Sequence, residues 1–263
     1  MTLETQSLCY SYGSRQVLNN VSISCSSGSL VALLGENGSG KSTLLTCLAG
    51  LRLVDGVRWD GVPTSHFNRH AQSRLRAMVP QRPRFDGSMS LYDYVLLGRK
   101  PLFRWKERKI DHFVVENQLT DFGLAELAFQ PISEVSGGER QKAVLARALV
   151  QETPLLLLDE PLNNLDLRFQ ITLMDLLATA AQKTGKLVIT ALHDVNVALS
   201  WCDSVVMLKK GELVAAGAME EALSEDSLEE MAGIRMELRQ EGEGRCMLLP
   251  QRQSCFPKEK KSD

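Results

Sequence analysis

Glycines, a lysine and a hydroxyl side chain follow directly on a short apolar run near the N-terminus of the chain. The run is Leu30–Leu34, and residues 35–42 read Gly-Glu-Asn-Gly-Ser-Gly-Lys-Ser. Glycines permit backbone angles that turn successive N–H groups toward one anion, and a helix N-terminus presents partial positive charge at the same place. The pattern, with a buried strand before it and a helix after it, predicts a phosphate-binding loop.

The chemistry of such a loop gives its side chains separate roles. We expect Lys41 to pair with the β- and γ-phosphates of ATP, and Ser42 to bind Mg²⁺. A chance match in a glycine-containing turn has a probability on the order of one per cent in a chain of this length, so we set it aside. The residues predicted to bind nucleotide at this loop are Gly35, Glu36, Asn37, Gly38, Ser39, Gly40, Lys41, Ser42 and Thr43.

Two adjacent carboxylates, Asp159 and Glu160, follow a second apolar run, Leu155–Leu158. Ligands bind beyond the carboxyl ends of strands in open parallel sheets, so this pair is expected near the phosphates. We predict that Asp159 holds Mg²⁺ through water and that Glu160 accepts a proton from the attacking water. Taken alone, such a pair is commonly just the start of a loop. The phosphate loop requires a partner of this kind, and no other predicted strand end supplies both groups.

A second group of small residues, Ser136-Gly137-Gly138-Glu139, stands directly before another predicted helix. Small residues at a helix N-terminus can form an anion site, but one nucleotide cannot easily use two such sites in one chain. A head-to-tail dimer, in which each chain caps the nucleotide of the other, would use both. By itself the segment is equally well explained as a capping turn.

The elements that must position these residues alternate between strand and helix along most of the chain. Apolar runs at Leu187–Ala191 and Ser204–Leu208 follow the first two, which indicates an α/β fold with a mostly parallel sheet and right-handed crossovers. Residues 3–24 alternate apolar and polar side chains, which predicts an antiparallel β subdomain. We expect one domain over residues 1–250, a helical insert at about 83–132 and a polar tail at 251–263. Helices are predicted at about 109–127 and 220–231, and two short strands within 235–249.

The bulk properties exclude several classes of protein. The formal charge of −2 provides no basic field for nucleic acid. The six cysteines are scattered without metal-binding or redox spacing, which favours reduced thiols. Because neither a signal pattern nor an apolar run of about 20 residues is found, we expect any membrane association to depend on another chain.

With these motifs in this order, the chain resembles the ATP-binding cassette family over nearly its whole length. The resemblance implies that adenine stacks on Tyr12 beside Val17. It also implies that Gln81 links the Mg²⁺ site to the helical insert and that His193 contacts the γ-phosphate, so that Lys41, Gln81, Glu160 and His193 form the catalytic set. Further residues that match the family are Ser136, Gly138 and Glu139 in its signature, and Asn163, Asn164, Leu165 and Asp166 in the loop after the catalytic glutamate. Of these, the signature residues and Asp166 are expected at the nucleotide.

Each of these residues also has a plainer interpretation when taken separately. Tyr12 could be an exposed turn residue, Gln81 a solvated loop residue, and His193 a helix N-terminal residue that bonds to Asp194. Two positions depart from the family pattern. Val135 replaces the usual leucine, and Asn163 replaces a serine or similar small residue, which bears on how two subunits couple.

The insert narrows the resemblance to one group of transporters. Residues 90–101 are similar to a segment of importers for iron-siderophores, haem and vitamin B12, although Leu102 replaces the usual histidine or aromatic. The resemblance implies a peripheral ATPase dimer on the cytoplasmic face of the inner membrane. It would be held there by integral permease subunits and supplied by a substrate-binding protein. Two alternatives stay open: a non-transport cassette protein of translation or DNA repair, and a small-molecule kinase that uses the same loop.

Overall fold

The secondary structure is given by a computed structural model that describes residues 1–83, 85–103, 106–233, 236–241 and 245–250. The strands in chain order are β1 Thr2–Thr5, β2 Leu8–Tyr12, β3 Arg15–Val21, β4 Ser24–Ser26, β5 Leu30–Leu34, β6 Val57–Trp59, β7 Val62–Pro63, β8 Arg76–Val79, β9 Leu155–Asp159, β10 Leu187–Ala191, β11 Ser204–Lys209, β12 Glu212–Ala218, β13 Met236–Glu241 and β14 Arg245–Pro250. The α-helices are α1 Lys41–Leu48, α2 Arg69–Leu75, α3 Leu91–Leu96, α4 Lys109–Asp121, α5 Gly137–Leu149, α6 Leu167–Thr184, α7 Val195–Trp201, α8 Met219–Ala222 and α9 Glu225–Ala232. Short 3₁₀ helices cover Thr64–His66, Leu97–Leu102 and Ala125–Leu127. The tail predicted for 251–263 lies outside the described residues.

The central sheet has the strand order β12-β11-β5-β10-β9-β8. Strands β8, β9, β10, β5 and β11 pair in parallel, and β12 adds an antiparallel edge. Alternate side chains of β5 enter two different cores: Leu30 and Leu34 pack toward the helices of the insert and α5, whereas Val31 and Leu33 pack toward α1. Burial on both faces explains the continuous apolar runs, and the predicted α/β fold with a mostly parallel sheet is confirmed.

The antiparallel subdomain predicted at the N-terminus is also confirmed. Strands β4, β1, β6 and β7 form one sheet, and β2 and β3 form a separate hairpin in which Tyr12 pairs with Arg15. Gly13, with φ of 58°, makes the turn between them. Leu3 and Trp59 from this sheet lie in the same core as Val31 and Leu33. Helix α1 therefore shares one core with the antiparallel β4-β1-β6-β7 sheet and the central sheet.

Two predicted helices are interrupted in the structure. The helix expected over 109–127 stops at Asp121, because Gly123 adopts φ of 66° and a 3₁₀ turn follows. The helix expected over 220–231 is split into α8 and α9 by buried Leu223 and by Ser224, whose hydroxyl accepts a hydrogen bond from the Ser227 N–H. Both boundaries were wrong because local capping residues override the amphipathic pattern.

The segment Gly98-Arg99 joins the insert to α5. A Cβ at Gly98 would lie 2.2 Å from the Arg147 carbonyl oxygen, so the close approach requires glycine. Arg99 is 3% exposed and donates hydrogen bonds to Asp111 Oδ1 at 3.1 Å and to the Val150 carbonyl at 2.6 Å. A buried arginine needs such partners, so this pair fixes the insert against the end of α5. None of the helices in the described part of the chain combines the length and the apolar composition that a membrane span requires.

Candidate functional site

The loop between β5 and α1 has a backbone that only glycine can follow at two positions. Gly35 has φ of 149°, and a Cβ there would lie 2.3 Å from the Leu208 carbonyl oxygen. Gly40 has φ of 106°, and a Cβ there would lie 2.9 Å from Leu18 Cδ2. Strands β11 and β3 therefore pack closely against the loop at Gly35 and Gly40. Helix α1 begins at the residue after Gly40, so its N-terminus opens at this loop.

Lys41 lies at the mouth of this loop. Its side chain is largely buried, and Nζ donates to the Gly35 carbonyl at 2.6 Å and to the Glu36 carbonyl at 3.1 Å. Burial lowers the pKa of Lys41, and the negative charges of Glu160 and Asp159 oppose that shift. The ammonium group is thus held between the loop carbonyls and the carboxylates at the end of β9.

Asp159 ends β9 and is 3% exposed. Burial is the main cause that raises the pKa of this carboxyl above its ordinary value, against hydrogen bonds from the Ser42 side chain and the Gln81 backbone. Its Oδ1 is buried and has no hydrogen-bond partner among the described residues. A hydroxyl and a carboxylate oxygen without a donor are hard oxygen ligands, so Ser42 and Asp159 fit Mg²⁺.

Glu160 is held by three side chains from three different loops. Its Oε2 accepts hydrogen bonds from Gln81 Nε2 at 2.7 Å and from Asn163 Nδ2 at 2.8 Å, and its Oε1 lies 2.8 Å from His193 Nε2. Burial pushes the pKa of Glu160 up, but the hydrogen bonds from His193, Gln81 and Asn163 outweigh burial, so the pKa lies below its ordinary value. Glu160 is therefore ionised at neutral pH and can accept a proton.

A cavity of about 630 Å³ joins these groups. The predicted site residues that line it are Tyr12, Val17, Asn37, Gly38, Gly40, Lys41, Ser42, Thr43, Gln81, Glu160 and His193. Gly35, Glu36 and Ser39 belong to the loop but do not line the cavity. The structure thus brings together most of the residues that the sequence indicated, with Glu160 and His193 beside the loop lysine.

Four predicted site residues lie elsewhere. Ser136 caps α5 in a reciprocal pair with Glu139, because the Ser136 N–H donates to Glu139 Oε2 at 2.7 Å and the Glu139 N–H donates to Ser136 Oγ at 3.3 Å. Gly138 follows in the first turn of α5. Asp166 caps α6 by accepting a hydrogen bond from the Phe169 N–H at 2.9 Å. Within one chain these residues are helix caps, and their contact with nucleotide stays a prediction.

Some contacts at the cavity were missing from the sequence analysis. Arg15 lines the cavity, and its pairing with Tyr12 across the hairpin is a signal that could have identified it. The Arg52 guanidinium lies 5.1 Å from the centroid of the Tyr12 ring, and its Nη2 donates to the Tyr12 hydroxyl at 3.2 Å. Nothing in the local sequence indicates that second contact. His193 bonds to Glu160, whereas Asp194 caps α7 by accepting from the Asn196 N–H, so the plainer interpretation of His193 was wrong.

A glycine-rich loop at a helix start, an adjacent lysine and an ionised glutamate beside a magnesium-type oxygen pair define a P-loop nucleoside triphosphatase. Comparison with known proteins narrows the class. Residues 18–163 match the ABC transporter family model. The chain is 35% identical over 247 residues to the hemin import ATP-binding protein HmuV of Bordetella avium, and the match covers 90% of this chain and 94% of that protein. It is 34% identical over 239 residues to the ferric enterobactin transport ATP-binding protein FepC of Escherichia coli K12, covering 89% and 88%.

Solved structures agree with these relatives. The structure of a protein described as a metal-chelate type ABC transporter, in an inward-facing conformation, has a TM-score of 0.78 at 27% identity and covers 95% of this chain and 97% of its own. A dimeric ATP-binding cassette in a post-hydrolysis state with ADP and Pi has a TM-score of 0.74 at 25% identity, covering 83% and 99%. The chain therefore belongs to the ABC transporter family and is an ATP-binding, ATP-hydrolysing transporter subunit.

Proposed function

We propose that this subunit powers an importer for metal chelates of the iron-siderophore, haem or cobalamin type. The observation that carries the proposal is the similarity, over 90% and 89% of this chain, to relatives named for hemin import and ferric enterobactin transport. The insert segment 90–101 supports it, because its residues resemble the corresponding segment of importers for such chelates. The substrate itself is selected by other subunits, which we take to be the permease and a substrate-binding protein.

At the catalytic site, the contacts described above and the resemblance to the family support the following roles. Lys41 and the loop N–H groups bind the β- and γ-phosphates, and the base stacks on Tyr12 beside Val17. Mg²⁺ would be held by Ser42, Asp159 and Gln81, and when bound it would neutralise charge on the phosphate oxygens. Glu160 takes the proton of the attacking water, and His193, hydrogen-bonded to Glu160, contacts the γ-phosphate.

The complete site requires a second copy of the chain. Ser136 and Asp166 are exposed and do not line the cavity of their own chain, and Gly138 and Glu139 lie beside Ser136. A head-to-tail dimer would bring these helix starts to the nucleotide of the partner. The dimeric solved structure with ADP and Pi supports this arrangement. Two ATP molecules would then be enclosed between two chains.

The permease is expected to dock in a second, larger groove of about 1260 Å³. Among the described residues that line the groove, basic side chains outnumber acidic ones, and Glu107 is the one acidic residue. The basic lining residues are Arg74, Arg76, Lys100 and Arg147. Such a groove favours a permease segment that carries acidic side chains.

A short segment connects this groove to the nucleotide. Gln81 lines the nucleotide cavity, whereas its neighbours Pro80 and Pro83 line the groove. A shift of Gln81 during the ATP cycle would therefore move the groove wall. This connection supports coupling between hydrolysis and permease motion. Attachment to the permease would place the subunit at the cytoplasmic face of the inner membrane. The net charge of −2 gives no support to nucleic acid as a partner.

Uptake by cells that lack this subunit tests both the substrate class and the docking groove. We expect uptake of haem, an iron-siderophore or cobalamin to be lost and then restored by the wild-type chain. The double variant Arg74→Glu, Lys100→Glu should restore less than a tenth of the uptake and lose co-purification with the permease, because both exposed cations become anions. The ATPase rate of the isolated double variant should not change.

Lys183→Glu is the matched control, since it reverses an exposed charge on α6, outside the groove. It should restore full uptake. Normal uptake of all three substrates in the deleted cells would overturn the metal-chelate proposal. Full uptake with the double variant would overturn the docking groove.

A further inference from the structure

The carboxylate of Glu160 has most of its acceptor positions occupied by protein. An ionised carboxylate has two oxygens, each with two lone pairs. Oε2 accepts from both Gln81 and Asn163, at 2.7 and 2.8 Å, which fills its two positions. Oε1 accepts from His193 alone among the described residues, so it keeps one lone pair for another donor.

Asn163 reaches Glu160 within one tight turn of the chain. The Asn163 N–H also donates to the Glu160 carbonyl, at 3.4 Å. Glu160 has φ of 52° and Asn164 has φ of 63°, so the turn is formed by two non-glycine residues with left-handed backbone angles. Such backbone angles are strained for residues that carry a side chain, and they persist where the surrounding contacts hold them. The hydrogen bond that the Asn163 side-chain amide donates to Glu160 Oε2 is one of the contacts that hold this turn.

Asn163 does not line the nucleotide cavity, although Gln81, Glu160 and His193 do. Within one chain, its described contact with the reacting groups is therefore the hydrogen bond to Glu160. Gln81 sits on the segment that leads into the helical insert, so its contact with Glu160 depends on the position of that segment. Asn163 is only three residues from Glu160, so its contact does not depend on the insert.

We propose that Asn163 is a positioning residue which, together with Gln81, occupies Oε2 of Glu160 and so leaves Oε1 as the oxygen that takes the proton from water. The inference rests on the proposed role of Glu160 as the general base. Asn163 keeps the carboxylate from rotating when Gln81 moves. An alanine cannot supply the donor, and an aspartate of nearly the same shape presents only acceptors.

The test is ATP turnover by Asn163→Ala and Asn163→Asp. We expect kcat to fall about 10- to 100-fold, because a general base displaced by about 1 Å loses roughly that much. KM for ATP should stay within about twofold, since Asn163 does not line the nucleotide cavity. Asn117→Ala and Asn117→Asp, on the exposed face of α4, are the matched controls and should keep the wild-type kcat.

A double-mutant cycle with Glu160→Gln separates positioning from a general effect on the fold. If Asn163 acts only through the base, Asn163→Ala should not lower the residual single-turnover rate of the Glu160→Gln chain any further. An equal fold-loss in both backgrounds would overturn the proposal, and so would a raised KM with an unchanged kcat. Wild-type turnover by Glu160→Gln alone would instead overturn the base assignment itself, and the role of Asn163 would fall with it.

Discussion

Replacing Glu160 by glutamine should reduce ATP turnover about 1,000-fold, because an amide cannot accept the proton of the attacking water. The pKa of Glu160 lies below its ordinary value, so the wild-type carboxylate is already ionised at neutral pH. The substitution therefore removes a group that is ready to accept a proton. A glutamine of equal size fits the same space. Its amide NH₂ can replace only one carboxylate oxygen, so it loses hydrogen bonds either from His193 or from the Gln81 and Asn163 pair.

The measurement is phosphate release at saturating ATP and Mg²⁺, together with the dissociation constant for ATP. We expect the affinity for ATP to change by less than about threefold, since Lys41 and the loop are untouched. Glu126→Gln, on an exposed turn of the insert, controls for the loss of one negative charge. A Glu160→Gln chain that hydrolyses ATP within tenfold of the wild-type rate would rule out Glu160 as the base.

Lys41→Ala should have the opposite pattern and lose nucleotide binding. The ammonium group is buried beside the loop, where it donates hydrogen bonds to two loop carbonyls at 2.6 and 3.1 Å. A phosphate bound in the loop would lie within hydrogen-bond distance of the same group. Hydrogen bonds to a charged group contribute about 1.5–3 kcal/mol each, so the loss of two phosphate contacts should weaken ATP binding by at least about 100-fold.

Fluorescence titration with ATP measures this loss directly. Lys183→Ala, on an exposed part of α6, is the control and should bind ATP as the wild-type chain does. Wild-type affinity in the Lys41→Ala chain would show that the cavity beside the loop is not the phosphate site. Together the two variants separate binding from chemistry.

The interior of the fold was predictable because its signals are local. Strands such as Leu30–Leu34 and Leu187–Ala191 are buried on both faces, so they are continuously apolar and easily found. The edge strands of the same sheet were missed. β8 begins with Arg76, and β12 contains alanines and a glycine, which have low strand propensity. At an edge, pairing with a neighbouring strand decides the structure, and a single segment does not reveal that pairing.

The candidate site could likewise be predicted only where its signals are local. The glycines of the phosphate loop could be assigned from spacing, because their backbone angles are a property of that segment. The hydrogen bonds on Glu160 could not, because Gln81, Asn163 and His193 meet only when three loops converge beyond β8, β9 and β10. The departure at Asn163 was visible in the sequence, but its amide contact required the structure. The contact of Arg52 with Tyr12 is of the same kind.

We propose that the loop at Lys41 is half of a nucleotide site that a second chain completes. Gly137 offers a precise way to block that interface. It lies at the exposed start of α5, where an added Cβ meets no described atom within 4 Å, so Gly137→Arg should fold normally and still bind ATP. An arginine there would obstruct the face that is expected to meet the partner's nucleotide.

Light scattering on the Glu160→Gln chain with saturating ATP and Mg²⁺ shows whether two chains share the site. The expected mass is twice the 29.2 kDa of one chain, because bound ATP holds two copies together when it cannot be hydrolysed. Removing the nucleotide, or adding Gly137→Arg, should return the mass to that of one chain. A Glu160→Gln chain that binds ATP fully and remains a monomer would contradict the composite site.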